Sequence, residues 1–171
     1  MIRKVAIIFG LGGGWLDPRG GEVYLVQRCK AIGLDTGNSP FAYSDSQGVY
    51  DFLKDADWRA IVGDSFGADY GPQYAASLAP RKIDYIAGFQ PSMYASDVRN
   101  GVITVPANCV TAHCIRDPIW ADTGGLGYAS WIAADPKATR LLVTEHRGAH
   151  PDDTGYAQDL VFAEIKNLIG A

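Results

Sequence analysis

Short, largely apolar runs separated by longer amphipathic segments constrain this chain more than any other feature. Arg3–Phe9 (RKVAIIF), Arg59–Val62 (RAIV), Ile83–Phe89 (IDYIAGF), Asn108–Ala112 (NCVTA) and Arg140–Thr144 (RLLVT) each read as a strand. Their apolar residues fall at consecutive rather than alternate positions, which means burial on both faces. Between them, Gly21–Ile32 carries apolar residues at 23, 25, 26, 29 and 32, the spacing of one helix face. Ser44–Lys54 reads as a helix with Ser44 or Asp45 as its N-cap, and Phe66–Leu78 and Tyr156–Ile169 read as two more. A weak strand is expected around Asp35–Tyr43, interrupted by Asn38-Ser39-Pro40. Ile119–Ala134 is expected to be largely helical after a break at Gly124-Gly125, and a polar, Pro-containing connection separates Ile83–Phe89 from Asn108–Ala112.

Strands buried on both sides and alternating with helices predict an α/β fold. The expected form is a three-layer αβα sandwich around a mostly parallel sheet of about six strands. A chain of 171 residues makes a single domain, 1–171, the expected organisation. In such sheets ligands bind outside the carboxyl ends of the strands. The glycine loop 10–14, Ser65, Asp117 and His150 all fall at those ends.

Composition excludes several classes of function. The net charge of −4 and the lack of any Lys/Arg cluster beyond pairs such as Arg81-Lys82 leave no basic stripe for nucleic acid. No apolar run approaches the ~18 residues of a membrane span. The start, MIRKVAIIFGLGGGW, imitates a signal peptide, but its apolar run stops at Phe9 and no cleavage pattern follows. A cytoplasmic protein is therefore expected. Cys29, Cys109 and Cys114 form no CxxC pair and read as buried free thiols.

The stretch Ala60–Gly71, AIVGDSFGADYG, carries the chemistry. Gly63-Asp64-Ser65-Phe66-Gly67 is a GxSxG pattern lodged between a strand and a helix. Small residues two before and two after the Ser let strand and helix approach closely, and the turn holds the hydroxyl outward as a nucleophile. The competing reading is a Ser that merely caps the helix.

A serine nucleophile needs a base. His113 closes a strand and reads as structural. His150, in the loop HRGAHPDD beyond the last strand, is placed to swing over the sheet's edge, with His146 as its rival. The acid that orients the imidazole is expected at Asp117 in CIRDPIW, while Asp152 and Asp153 read as starting the last helix. Backbone N–H groups of Phe66 and of Leu11, in FGLGGGW, are the expected oxyanion donors. That glycine loop does not fit a dinucleotide-binding GxGxxG, because Trp15 stands where the third glycine belongs. Gln90, Met93, Tyr94 and Trp120 are candidate pocket residues.

Taken together, these motifs resemble the α/β-hydrolase superfamily, especially its small members with little or no lid. FGLGGGW resembles the family's oxyanion loop, GDSFG its nucleophile elbow, RDP its acid turn and GAH its histidine loop. The order Ser65, Asp117, His150 is the family's order of triad residues. Phe9 stands where the family often has His, and the short interval between Ser65 and Asp117 leaves no space for a large cap; Gln90–Pro106 is the one candidate for a pocket cover. The resemblance implies a minimal α/β-hydrolase fold and a serine hydrolase of carboxylic esters. It implies a small-molecule acyl ester as partner and no metal or organic cofactor. Thioesters or amides would suit the same triad, and a non-enzymatic binding protein could share the fold. GDS and HPDDTGY also look like blocks of the SGNH (GDSL-type) esterases. Those place GDS after the first strand and an Asp three residues before the His, where Arg147 stands here. Both families make Ser65 and His150 catalytic; they differ over Asp117.

Overall fold

A computed structural model describes residues 1–10, 22–91, 101–116, 129–145 and 154–171. In chain order these form β1 (Arg3–Phe9), α1 (Glu22–Ala31), β2 (Phe41–Ala42), α2 (Ser46–Leu53), β3 (Trp58–Asp64), α3 (Phe66–Ser77), β4 (Ile83–Phe89), β5 (Val102–Val105), β6 (Cys109–Arg116), β7 (Ser130–Ala133), β8 (Arg140–Glu145) and α4 (Thr154–Ile169). Six strands make one sheet in the order β2-β1-β3-β4-β6-β8, and every pairing in it is parallel.

The consecutive apolar residues explain the layering. Successive side chains of a strand point to opposite faces, so a run such as Val5-Ala6-Ile7-Ile8 feeds two cores at once. Ala6, Ile8, Ile61, Ile86, Ala112 and Cys114 pack with Val49 and Leu53 of α2 and with Ala68, Tyr74 and Ala75 of α3. Val5, Ile7, Ala60, Val62, Tyr85, Ala87 and Ile115 face the other way. They pack with Leu25, Val26 and Cys29 of α1 and with Ala157, Val161, Ile165 and Ile169 of α4. The spacing of that α4 set, every fourth residue, keeps one stripe against the sheet. The result is three layers, as the sequence predicts.

Helix starts follow local chemistry. Asp45 caps α2, its carboxylate accepting the Gly48 N–H at 2.9 Å, which satisfies one of the donors that a helix start leaves open. The expected weak strand shrinks to the two residues of β2, which pair with Ile8 and Phe9 of β1, and to a separate bridge between Lys4 and Asp35.

Two expectations are corrected. Ser130–Ala133, placed in a helix by the sequence reading, is strand β7, while 119–128 lie outside the described residues. Val102–Val105, taken as part of a connection, is strand β5. These two pair in parallel as a separate small sheet. Its anchor is Trp131, whose ring lies so close over Gly88 of β4 that a Cβ there would come within 2.4 Å of it. β6 also runs four residues past the expected end at Ala112, to Arg116, so Asp117 follows its last residue directly.

Candidate active site

The turn between β3 and α3 is built by steric exclusion. A Cβ on Gly63 would lie 2.2 Å from the Gly67 carbonyl oxygen, and one on Gly67 would lie 2.5 Å from the Ile8 carbonyl oxygen. Both contacts are with backbone, which cannot yield cheaply. Glycine at these two positions is what lets α3 leave the sheet at this angle.

Between them, Ser65 adopts φ 51°, ψ −114°. A residue with a Cβ in such a conformation costs about 1–3 kcal/mol, which must be met by the surrounding structure. Here the turn is pinned: the Ser65 N–H donates to the Phe89 carbonyl at 2.9 Å, and the Ser65 carbonyl accepts from Ala68 and Asp69 at 3.0 and 3.2 Å. Ser65 occupies the N-cap position of α3, yet its side chain makes no capping hydrogen bond. The capping explanation for this serine therefore fails. Phe66 is the first residue of α3, and N–H groups in a first helical turn have no acceptor within their own helix.

Sheet register aligns a row of residues along the carboxyl rim. Ile8 pairs with Gly63, Asp64 with Phe89, Phe89 with Ile115, and Arg116 with Glu145. One step onward the row reads Gly10, Ser65, Gln90, Arg116, Glu145. Contact confirms its start, since a Cβ on Gly10 would approach the Ser65 Cβ to 2.8 Å. Gln90 is the other residue besides Ser65 and glycines with left-handed backbone among those described, at φ 43°. Its N–H donates to the Ile115 carbonyl at 2.7 Å.

Further along, the Arg116 guanidinium donates to Ser130 Oγ and, at 2.6 Å, to Glu145 Oε1. One cation thus joins the ends of β6 and β8 to the start of β7. The residues that follow those two ends lead to Asp117 and to His150.

Of the residues named from sequence, Ser65, Phe66 and Gln90 are described and meet on this rim. Leu11, Met93, Tyr94, Asp117, Trp120, His146 and His150 lie outside the described residues. Sequence reasoning named Gln90 only as a pocket residue and passed over Arg116. No local signal marks a glutamine for left-handed backbone, and the partners of Arg116 are brought by other strands.

Among the described residues, the three cysteines and His113 are set aside by their surroundings. Burial pushes the Cys29 and Cys109 thiols up to about 12 and Cys114 up to about 11, so all three stay protonated near neutrality. His113 is buried inside β6, with Nδ1 3.3 Å from the Tyr85 hydroxyl and Nε2 2.9 Å from Thr144 Oγ1. Burial holds it below the usual histidine range, an effect that nearby Glu164 opposes and Arg140 reinforces. Its ring is occupied within the core, as expected of a structural histidine.

Comparison with solved structures places this architecture. Over 96% of its length the chain superposes on 98% of a protein from Xanthomonas campestris pv. campestris, described as a proposed hydrolase of the alpha/beta superfamily, with a TM-score of 0.54 at 10% identity. It likewise covers 89% of mouse alpha/beta hydrolase domain-containing protein 10, using 98% of its own length, with a TM-score of 0.55 at 14% identity. No family model matches the sequence, and no curated protein does.

Proposed function

The chain has a small version of the α/β-hydrolase fold, and on that premise we propose that it is a serine hydrolase of carboxylic esters. The observation that carries the reading is the left-handed, non-capping Ser65 held between β3 and α3 by two glycines. A strained serine at the carboxyl end of a central strand is the arrangement a nucleophile elbow requires. Ser65 follows β3 rather than the first strand, which favours this superfamily over the SGNH esterases.

In the proposed reaction Ser65 Oγ attacks the acyl carbon while His150 takes its proton. The carbonyl oxygen becomes an oxyanion received by the N–H groups of Leu11 and Phe66. Asp117 fixes the imidazole tautomer and stabilises the imidazolium. Collapse of the tetrahedral adduct breaks the ester C–O bond, and His150 returns its proton to the departing alcohol. Water, deprotonated by His150, then attacks the acyl-enzyme and releases the acid and free Ser65. Chain position supports these roles: Asp117 directly follows β6, and His150 stands in the segment after β8, so both start from the rim that holds Ser65.

A panel of p-nitrophenyl esters of increasing acyl length tests the proposal. The wild-type protein is expected to hydrolyse the shorter members, with Ser65→Ala lowering kcat by roughly 10⁶-fold and Asp117→Asn by roughly 10⁴-fold. Unchanged turnover in Ser65→Ala would refute the nucleophile. Normal turnover in Asp117→Asn alone would reject the acid and reopen the SGNH reading.

A further inference from the structure

Strand β8 stands at one end of the strand order, with β6 as its neighbour in the sheet. Its last residue, Glu145, pairs with Arg116, the last residue of β6. At this pair the two strands release the chain: Asp117 follows Arg116 directly, and His150 stands five residues beyond Glu145. Five residues span about 18 Å at full stretch, so the end of β8 limits where the imidazole can reach.

Arg116 bridges three strands at this point. Its Nη2 donates to Glu145 Oε1 at 2.6 Å, and its Nη1 donates to Ser130 Oγ. Ser130 is a fixed post: its N–H donates to the Gly101 carbonyl at 2.7 Å, and the next residue, Trp131, packs against Gly88 of β4. A guanidinium is a rigid planar fork, so bonding one arm to the post aims the other at β8. Stability is a poor reason for this arrangement. The Arg116 side chain keeps 22% of its surface exposed and Glu145 keeps 52%, and ion pairs so open to water contribute little to folding. Placement is a better reason, because the ends of elements open more readily than their centres. A strand end that drifts carries the following loop with it, and a misplacement of about 1 Å can cost a catalyst about 10²-fold.

We propose that Arg116 is a positioning residue: bonded at once to Ser130 and Glu145, it fixes the separation of the two strand ends from which Asp117 and His150 depart, and thereby the carboxylate–imidazole hydrogen bond. This rests on the Ser65, His150 and Asp117 reading and deepens it by naming what holds acid and base in register. The effect of Arg116 on the reaction passes through those two residues.

The test follows p-nitrophenyl acetate hydrolysis, with thermal unfolding and fluorophosphonate labelling of Ser65 alongside. Arg116→Lys keeps the charge and loses the fork, so a single ammonium replaces two arms of fixed geometry. It is expected to lower kcat by about 10–100-fold while KM stays within about threefold and Tm is little changed. Glu145→Ala is expected to match it. Glu145→Gln, which keeps an acceptor for the same N–H, is expected to restore kcat to within about threefold of wild type. Because Arg116→Lys leaves the charge unchanged, the acid limb of its kcat/KM profile reports geometry. A looser carboxylate stabilises the imidazolium less, so the limb is expected to move to lower pH.

The decisive comparison is made in Asp117→Asn. With no carboxylate left to place, adding Arg116→Lys is expected to change kcat by less than about twofold. A loss of similar size with and without Asp117 would make Arg116 a structural tie and overturn the proposal. So would an acid limb that does not move, or wild-type kcat in both Arg116→Lys and Glu145→Ala. If Arg116→Lys fails to fold, Glu145→Ala takes its place in the Asp117→Asn comparison. If wild-type Ser65 takes no label, or Asp117→Asn turns over normally, the reading of the triad itself falls.

Discussion

Ser65 sits in its left-handed conformation on a turn with no spare room: a Cβ on Gly10 would come within 2.8 Å of the Ser65 Cβ, and one on Gly63 or Gly67 would strike the backbone of Gly67 or Ile8. The hydroxyl contributes nothing to the helix it begins. Replacement by glycine therefore separates strain from chemistry. Ser65→Gly and Ser65→Ala both remove the oxygen, but only glycine relieves the backbone. Ser65→Gly is expected to be more stable than Ser65→Ala by about 1–2 kcal/mol in urea denaturation, after allowing for the extra freedom glycine gains when unfolded. Equal stabilities would mean that the turn is unstrained.

Among the elements, β1 and β4 are legible in the sequence to the residue, because a continuous apolar run buried on two faces needs no information from elsewhere. The β3–α3 turn is equally legible, since the two glycines that permit it are printed beside the serine. What could not be read came from partners distant in the chain. β6 continues through His113 because Tyr85 of β4 and Thr144 of β8 bond its ring; read alone, a histidine looks like the close of a strand. β7 has four residues and β5 has four, and each is a strand only because the other lies beside it. Trp131 docks that pair on Gly88, a fit made by tertiary contact and invisible to local periodicity. At the site, the serine and its amide-bearing neighbour Phe66 were readable from the GxSxG pattern. The strain at Gln90 and the clasp of Arg116 on Ser130 and Glu145 were not, because both depend on which strands adjoin.

For the molecule as a whole, layering sets both the rim that carries Ser65 and the response to acid. His113 sits within the layer between the sheet and α4, neutral because burial disfavours its charged form. Its folded-state affinity for protons is thus below that of the unfolded chain, so the unfolded state takes up a proton first as pH falls. Stability is fully present above the ordinary histidine value of about 6.5 and declines below it. Chemical denaturation at pH 7.5 and pH 5.5 is expected to show a lower midpoint at the acid value, and His113→Gln is expected to reduce that difference. A midpoint independent of pH in this range would show that the ring takes up protons equally well folded and unfolded, against the lowered affinity expected from its burial.

The same architecture concentrates the proposed chemistry at one edge, where Ser65 ends the third strand and the chain leads on from β6 and β8 to Asp117 and His150. Peptide mapping by mass spectrometry after fluorophosphonate treatment tests this most directly. The account predicts a single adduct on Ser65, formed at least about 10³-fold more slowly in His150→Ala. A stable, folded protein that hydrolyses p-nitrophenyl esters yet carries its adduct on another residue, or carries none, would contradict it.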